Sequence, residues 1–220
     1  MSKKKVGVIL SGCGFKDGTE IHEAVFTLLF LDKEGVEYIC MAPDVEQTFV
    51  VNHLTGERTN EKRNVLVESA RIARGNIKNI KDVNPEELDA VILPGGFGAA
   101  LNLCSFGTEG KNMSVNPEIE RFIKKSHSLG KPLGFICISP VIAAKVLGNE
   151  HVKLTIGNDK ATAEVIESFG AKHENKNTDD ISVDEKYKVV STPAYMLGPG
   201  PKDVANGIEK LVKKVLSLIK

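Results

Sequence analysis

Short apolar runs and longer amphipathic stretches alternate along this chain. A β-branched-rich run, Val6 to Ser11, predicts a strand, and Gly12, Cys13, Gly14 and Gly18 predict a loop after it. Thr19 is placed to cap a helix from Glu20 to Glu34, with Gly35 as its stop. Ile21, Ala24, Val25, Leu28 and Leu29 follow the 3.6-residue period there and predict its buried face. Glu37 to Ala42 is the next strand, ended by Pro43, so the opening reads as a β-loop-α-β crossover. Asp44 to Arg63 is polar and irregular, with Val50 and Val51 as a short added strand. Asn64 caps a short helix to Ala73, Val83 to Glu87 is a turn, and Leu88 to Leu93 is a third, fully buried strand. Pro94-Gly-Gly-Phe-Gly-Ala-Ala100 leads from it into a loop holding Cys104. Asn116 and Pro117 open a helix to Leu129, stopped by Gly130. Leu133 to Ile136 is another buried strand, followed by an apolar helical pattern. Beyond it come a strand at Val152 to Ile156, a helix at Ala161 to Phe169, a hairpin-like alternation at Asp179 to Lys188 and a strand at Val189 to Thr192. Tyr195 and Met196 lie in the Pro- and Gly-rich loop that follows. The last helix, Lys202 to about Ile219, carries the stripe Val204, Ile208, Leu211, Val212, Val215 and Ile219.

Strands and helices that alternate without a linker predict one α/β domain over residues 1–220. It is a doubly wound, mostly parallel sheet sandwiched by helices, with a small β insertion. Ligands bind beyond the carboxyl ends of the strands in such sheets. Lys+Arg and Asp+Glu are both 29 in 220 residues, so the net charge is zero; bulk charge supplies no nucleic-acid or membrane-surface role. No run approaches the roughly 20 apolar residues of a membrane span. The N-terminus is basic and then apolar, but the apolar run is too short for a signal peptide. The cysteines, 13, 40, 104 and 137, have neither CxxC spacing nor the density of a disulfide scaffold, so a reduced, cytoplasmic setting is expected.

Cys137 falls where a strand turns directly into a helix, with Ser139 as a candidate N-cap and Pro140 in the first turn. That is the pattern of a nucleophile elbow. The helix start offers positive potential and free N–H groups, which predict a thiolate; the plainer reading of a cysteine after an apolar run is core filler. Glu20 and Glu23 open the helix after the first loop. Glu23, close to the sheet-packing face, could hydrogen-bond a thiol and move protons, or simply complement the helix dipole. The glycines of the 94–98 turn, Gly95 and Gly96 among them, let backbone approach a ligand and free N–H groups hold an oxyanion.

Three motifs, Ser11-Gly-Cys-Gly-x-x-Asp-Gly-x-Glu-Ile-x-Glu23, Pro94-Gly-Gly-Phe-Gly-Ala-Ala100 and Cys137-Ile-x-Pro140, together resemble the ThiJ/PfpI superfamily, with its class I glutamine amidotransferase-like, flavodoxin-like fold. Within it the chain is similar to the ElbB subfamily, glyoxalase-like proteins linked to isoprenoid biosynthesis. Asn52-His-Leu-Thr-Gly-Glu57, Ala70-Arg-Ile-Ala-Arg-Gly75 and Thr192-Pro-Ala-Tyr-Met196 extend the likeness over almost the whole chain. The resemblance implies Cys137 as nucleophile, Glu23 as its carboxyl partner with Glu20 as second choice, and the N–H groups of Gly96 and Ile138 as oxyanion donors. Gly95, Cys13 and Tyr195 complete the expected binding set, and Tyr195 and Met196 either wall the pocket or simply pack.

One departure matters: peptidase-like members have a His directly after the nucleophile, and this chain has Ile138. His22 is expected to point to a different face from Glu23. His53 lies in the added loop and could reach the pocket, though a place outside it is the plainer reading, and His127, His151 and His173 read as surface residues. Cys13 and Cys104 lie on loops at the functional edge, where a second thiol could resolve an oxidised sulfur; Cys40, in a strand, should be inert. The resemblance implies a cofactor-free, metal-free enzyme, a homodimer, that turns small 2-oxoaldehydes such as methylglyoxal into 2-hydroxy acids through a Cys137 hemithioacetal, with Glu23 shuttling protons. A redox sensor with an oxidisable Cys137 and an amidase-type domain serving a partner protein are the alternatives.

Overall fold

The computed structural model describes residues 3–220. In chain order its elements are β1 (Lys5–Ile9), α1 (Ile21–Lys33), β2 (Glu37–Ala42), β3 (Val50–Val51), β4 (Arg58–Thr59), α2 (Val65–Ile72), β5 (Ile77–Asn79), β6 (Ala90–Leu93), α3 (Phe97–Leu101), α4 (Phe106–Glu109), α5 (Pro117–Ser128), β7 (Leu133–Ile136), α6 (Pro140–Leu147), β8 (Lys153–Leu154), α7 (Lys160–Ser168), β9 (Lys172–His173), β10 (Ser182–Asp184), β11 (Val189–Thr192) and α8 (Pro201–Ser217). Seven strands form one sheet in the order β10-β11-β7-β6-β1-β2-β5. All pairs are parallel except the β10–β11 edge. Five of them, β2-β1-β6-β7-β11, give the flavodoxin-type order, whose ligand crevice opens between the first and third strands of that set.

The runs that read as continuously apolar are strands buried on both faces. In β1 and β6, Val6, Val8, Ala90 and Ile92 face α1 and α8, while Ile9, Val91 and Leu93 face α5 and α6. Each valine, isoleucine or leucine among them contributes roughly 1.5–3 kcal/mol by leaving water. Glycine ends α1 and α5 as expected, Gly35 and Gly130 both at φ +67. The insertion is a short hairpin, β3 against β4. It is tied down where Asp17 accepts the Val51 N–H at 2.8 Å.

Several expectations are corrected. The N-cap of α1 is Glu20, because the Thr19 hydroxyl turns inward to accept the Ser11 N–H at 2.7 Å. The buried face of α1 is Glu23, Ala24, Thr27, Phe30 and Leu31, while Ile21, Val25 and Leu29 are exposed. Two polar residues on the inner face shift the apparent apolar stripe by about one residue. Three-residue β5, two-residue β9 and the short helices α3 and α4 are too brief to show a period.

Candidate active site

Cys137 stands between β7 and α6 at φ +62, a left-handed conformation that a residue with a side chain rarely adopts. Two anchors hold it. The Cys137 N–H donates to the Thr192 carbonyl at 2.9 Å. The Ser139 hydroxyl donates to the Leu93 carbonyl at 2.9 Å and accepts the Ile136 N–H at 2.8 Å. Ser139 therefore makes no side-chain cap for α6; it fastens the elbow to β6. The sharp strand-to-helix turn is the elbow expected from the sequence.

Glu23 meets this sulfur from α1. Its side chain is fully buried, with Oε2 accepting the Gly95 N–H at 2.8 Å and Oε1 accepting the Tyr195 N–H at 3.3 Å. It lies beside Cys137, whose thiol shifts the carboxyl's titration. The fit leaves no room at Gly95, where a Cβ would come within 2.5 Å of Cys137 Cβ and 2.9 Å of Glu23 Oε2. Gly96, at φ +92, would drive a Cβ to 2.3 Å from the Glu20 nitrogen. The N–H groups of Gly96 and Ile138 both point to the Cys137 sulfur. Glu20 supports the arrangement rather than joining it: its carboxylate accepts the Glu23 N–H at 2.7 Å.

The expected thiolate is overturned. Burial, and after it the charge of Glu23, pushes the Cys137 thiol well above its ordinary range, and the two N–H groups only partly oppose this. Burial first, then the Glu20 charge, pushes the Glu23 carboxyl up to about 8, against the N–H groups of Gly95 and Tyr195. At neutral pH the pair is predominantly protonated: the helix-start dipole is real but smaller than the cost of burying charge.

A cavity of about 730 Å³ opens onto Cys137. Gly96, Ile138, Tyr195 and Met196 line it, and Glu20 reaches it. His22 does too, on a different face of α1 from the buried Glu23 as expected, its Nδ1 sharing a 2.7 Å hydrogen bond with the Tyr195 hydroxyl. Phe15, Phe97, Ala100, Phe106, Gly107 and Thr162 complete the wall and were not anticipated; Phe15 stands alone in a Gly-rich loop, and Phe97 and Phe106 open helices too short to show a period. Cys13, expected in the binding set, does not line the cavity. Its loop is tied to α2, where the Gly12 N–H donates to the Ser69 hydroxyl at 2.8 Å, and the charges of Glu68 and Arg71 act on the thiol. Cys104 is a core residue donating to the Ala99 carbonyl at 3.3 Å. Burial pushes its thiol to about 12 and that of Cys40 to about 11. His53 packs edge-on to Phe15 and accepts the Lys16 N–H at 3.3 Å, outside the cavity. Among the described residues no group of three or more His, Cys, Asp or Glu is arranged to hold a metal ion, and no helix is long and apolar enough to cross a membrane.

No protein-family model matches the chain. It is 46% identical over 226 residues to the mitochondrial ES1 protein homolog of Rattus norvegicus, covering 98% of this chain and 84% of that protein. It is 46% identical to the human mitochondrial glutamine amidotransferase-like class 1 domain-containing protein 3, covering 97% of this chain and 83% of the relative. The chain belongs to this ES1 family of class I amidotransferase-like proteins. A crystal structure of an isoprenoid biosynthesis protein with amidotransferase-like domain from Ehrlichia chaffeensis superposes with a TM-score of 0.90 at 36% identity, covering 97% of this chain and 99% of that one. A DJ-1 superfamily protein from Salmonella typhimurium, 19% identical with a TM-score of 0.59 over 97% of this chain and 91% of that one, shares the fold. The expected cytoplasmic setting is overturned by the ES1 names, since the rat, human and Danio rerio relatives are all called mitochondrial.

Proposed function

We propose that this ES1-family chain, acting as one domain, is a cofactor-free cysteine-dependent enzyme of glyoxalase type, converting 2-oxoaldehydes to 2-hydroxy acids. The observation that carries the reading is the fully buried Glu23 carboxyl set against the elbow cysteine, both meeting one point at Gly95, with two backbone N–H groups turned to the same sulfur. In its ionised form Glu23 takes the thiol proton as sulfur bonds to the aldehyde carbon, so no free thiolate is needed. The N–H groups of Gly96 and Ile138 hold the oxygen that develops beside the sulfur, and Glu23 returns the proton to it. Glu23 then removes the hydrogen on that carbon, the electrons pass to the neighbouring carbonyl as an enediolate, Glu23 delivers that proton to the second carbon, and the hydroxyl proton of the first carbon passes to the second oxygen, leaving a thioester. Water cleaves the resulting thioester, releasing the 2-hydroxy acid and restoring the thiol. One water is consumed; the aldehyde carbon is oxidised and its neighbour reduced, so no external redox partner enters.

Pure protein should form lactate from methylglyoxal. Cys137→Ser should abolish this and Glu23→Gln reduce it; absence of lactate from the wild type refutes the chemistry. The rate should rise with pH toward an apparent pKa of about 8, belonging to the coupled pair. A second reading, oxidation of Cys137 by peroxide, draws on the same protonated Glu23, which could donate to an oxygen on the oxidised sulfur. An amidase role is less favoured because Ile138 replaces the expected His. We also propose ElbB-type membership of the superfamily, and a homodimer covering Ile21, Val25 and Leu29 of α1, which are 42%, 46% and 45% exposed.

A further inference from the structure

We infer that the substrate is an uncharged carbonyl compound with a bulky apolar group, an aryl or branched aliphatic 2-oxoaldehyde rather than the three-carbon methylglyoxal. This rests on the proposed glyoxalase reading and narrows it. The cavity of about 730 Å³ lies within the roughly 300–1,000 Å³ of pockets that take drug-sized ligands. A three-carbon aldehyde on Cys137 would leave most of it to water. The wall is apolar: Phe15, Phe97, Ala100, Phe106, Ile138 and Met196 all face it. Phe15 is 45% and Phe97 55% exposed, surface that a ligand would cover.

Charge points the same way. Among the described residues no lysine or arginine lines the cavity, and Glu20 does. A phosphorylated or carboxylate-bearing substrate would meet apolar rings and a carboxyl, with no cation to compensate its lost hydration. Polar contacts are few, namely Glu20 and His22 at the start of α1, Thr162 of α7 and Tyr195 after β11. The apolar wall comes mainly from the loop after β1 and from α3 and α4. Carbonyl chemistry is thus confined to the Cys137 edge and the substituent is left to the phenylalanines. Buried apolar surface raises kcat/KM only where a pocket exists to receive it, about tenfold or more per well-placed group.

The test compares initial rates on phenylglyoxal, yielding mandelate, and methylglyoxal, yielding lactate. We expect kcat/KM at least tenfold higher for phenylglyoxal, with Phe97→Ser and separately Phe15→Ser lowering that ratio. Equal or greater activity on methylglyoxal overturns the inference while leaving the glyoxalase reading intact. Should neither aldehyde turn over, that reading fails alone, and the cavity is judged by binding of unreactive acetophenone to Cys137→Ala, followed by NMR. Saturable binding weakened in the doubly substituted Cys137→Ala, Phe97→Ser chain supports an apolar ligand; no binding up to the solubility limit refutes it.

Discussion

Replacing Glu23 by Gln should change how stability depends on pH, and by a predictable amount. Below pH 4.5 the carboxyl is protonated in folded and unfolded chains alike. As pH rises, the unfolded carboxyl ionises while the folded one keeps its proton, so the unfolded state binds fewer protons and stability falls. The fall stops once the folded group ionises. Between the ordinary value of 4.5 and the folded value of about 8, at about 1.36 kcal/mol per pH unit, the total is on the order of 5 kcal/mol. The variant has no such proton. Its amide resembles the protonated acid in shape, so the two proteins should be most alike, or the wild type the more stable, near pH 5. Urea unfolding of both at pH 5, 6, 7 and 8 and constant ionic strength gives the difference directly. Groups titrating alike in both chains cancel, and stopping at pH 8 keeps the unfolded cysteines, ordinary value 9.0, largely protonated. Wild-type stability relative to Glu23→Gln should drop by about 4 kcal/mol across that range. A change below about 1 kcal/mol would mean an ordinary carboxylate and remove the basis for Glu23 as a proton carrier.

Gly95→Ala should cost about 2 kcal/mol or more in urea unfolding, because the new methyl meets Cys137 Cβ at 2.5 Å and the Ile136 carbonyl at 2.8 Å; an unchanged midpoint would show that the elbow can move aside. Ser139→Ala removes two buried hydrogen bonds at 2.8 and 2.9 Å and should cost about 1–3 kcal/mol, with faster alkylation of Cys137 as the turn loosens; equal labelling would refute the fastening role. Wild-type Cys137 should resist iodoacetamide at neutral pH and label in alkaline buffer, as its raised thiol requires; rapid neutral labelling would restore the thiolate. Val25→Glu should shift sedimentation from dimer to monomer without lowering thermal stability of the folded chain; a wild-type monomer would refute the pairing.

Much of the fold was legible because its signals are local. Val6 to Ser11, Leu88 to Leu93 and Leu133 to Ile136 read as strands since doubly buried strands are uniformly apolar. Asn64, Asn116, Gly35 and Gly130 mark helix ends by backbone chemistry that needs no tertiary knowledge. The site was legible at Cys137 and Glu23 through the motifs around them. It was not legible at His22, which bonds Tyr195 across 173 residues, nor at the cavity phenylalanines. Cys13 misled because its neighbours in sequence are Gly-rich, whereas the loop that carries it is fastened to Ser69 of α2 rather than turned to the cavity.

The errors at α1 and at the thiol have one source. A helix that packs a carboxyl against the sheet must present Glu23 and Thr27 inward, so its outward side can keep Ile21, Val25 and Leu29. Read by period alone, such a helix is assigned the wrong face. The same inward turn places Glu23 in a site with no cation to neutralise it, and a buried acid then holds its proton. A helix dipole contributes about 0.3–1 kcal/mol at its first turn, too little against that desolvation. The thiol beside Glu23 cannot ionise cheaply either, since two adjacent buried negative charges would repel. A single shared negative charge is the arrangement the site tolerates, and it suits a group that takes a proton from sulfur and hands it on. A site built only to keep a thiolate would place a cation there; among the described residues that line the cavity, none is lysine or arginine.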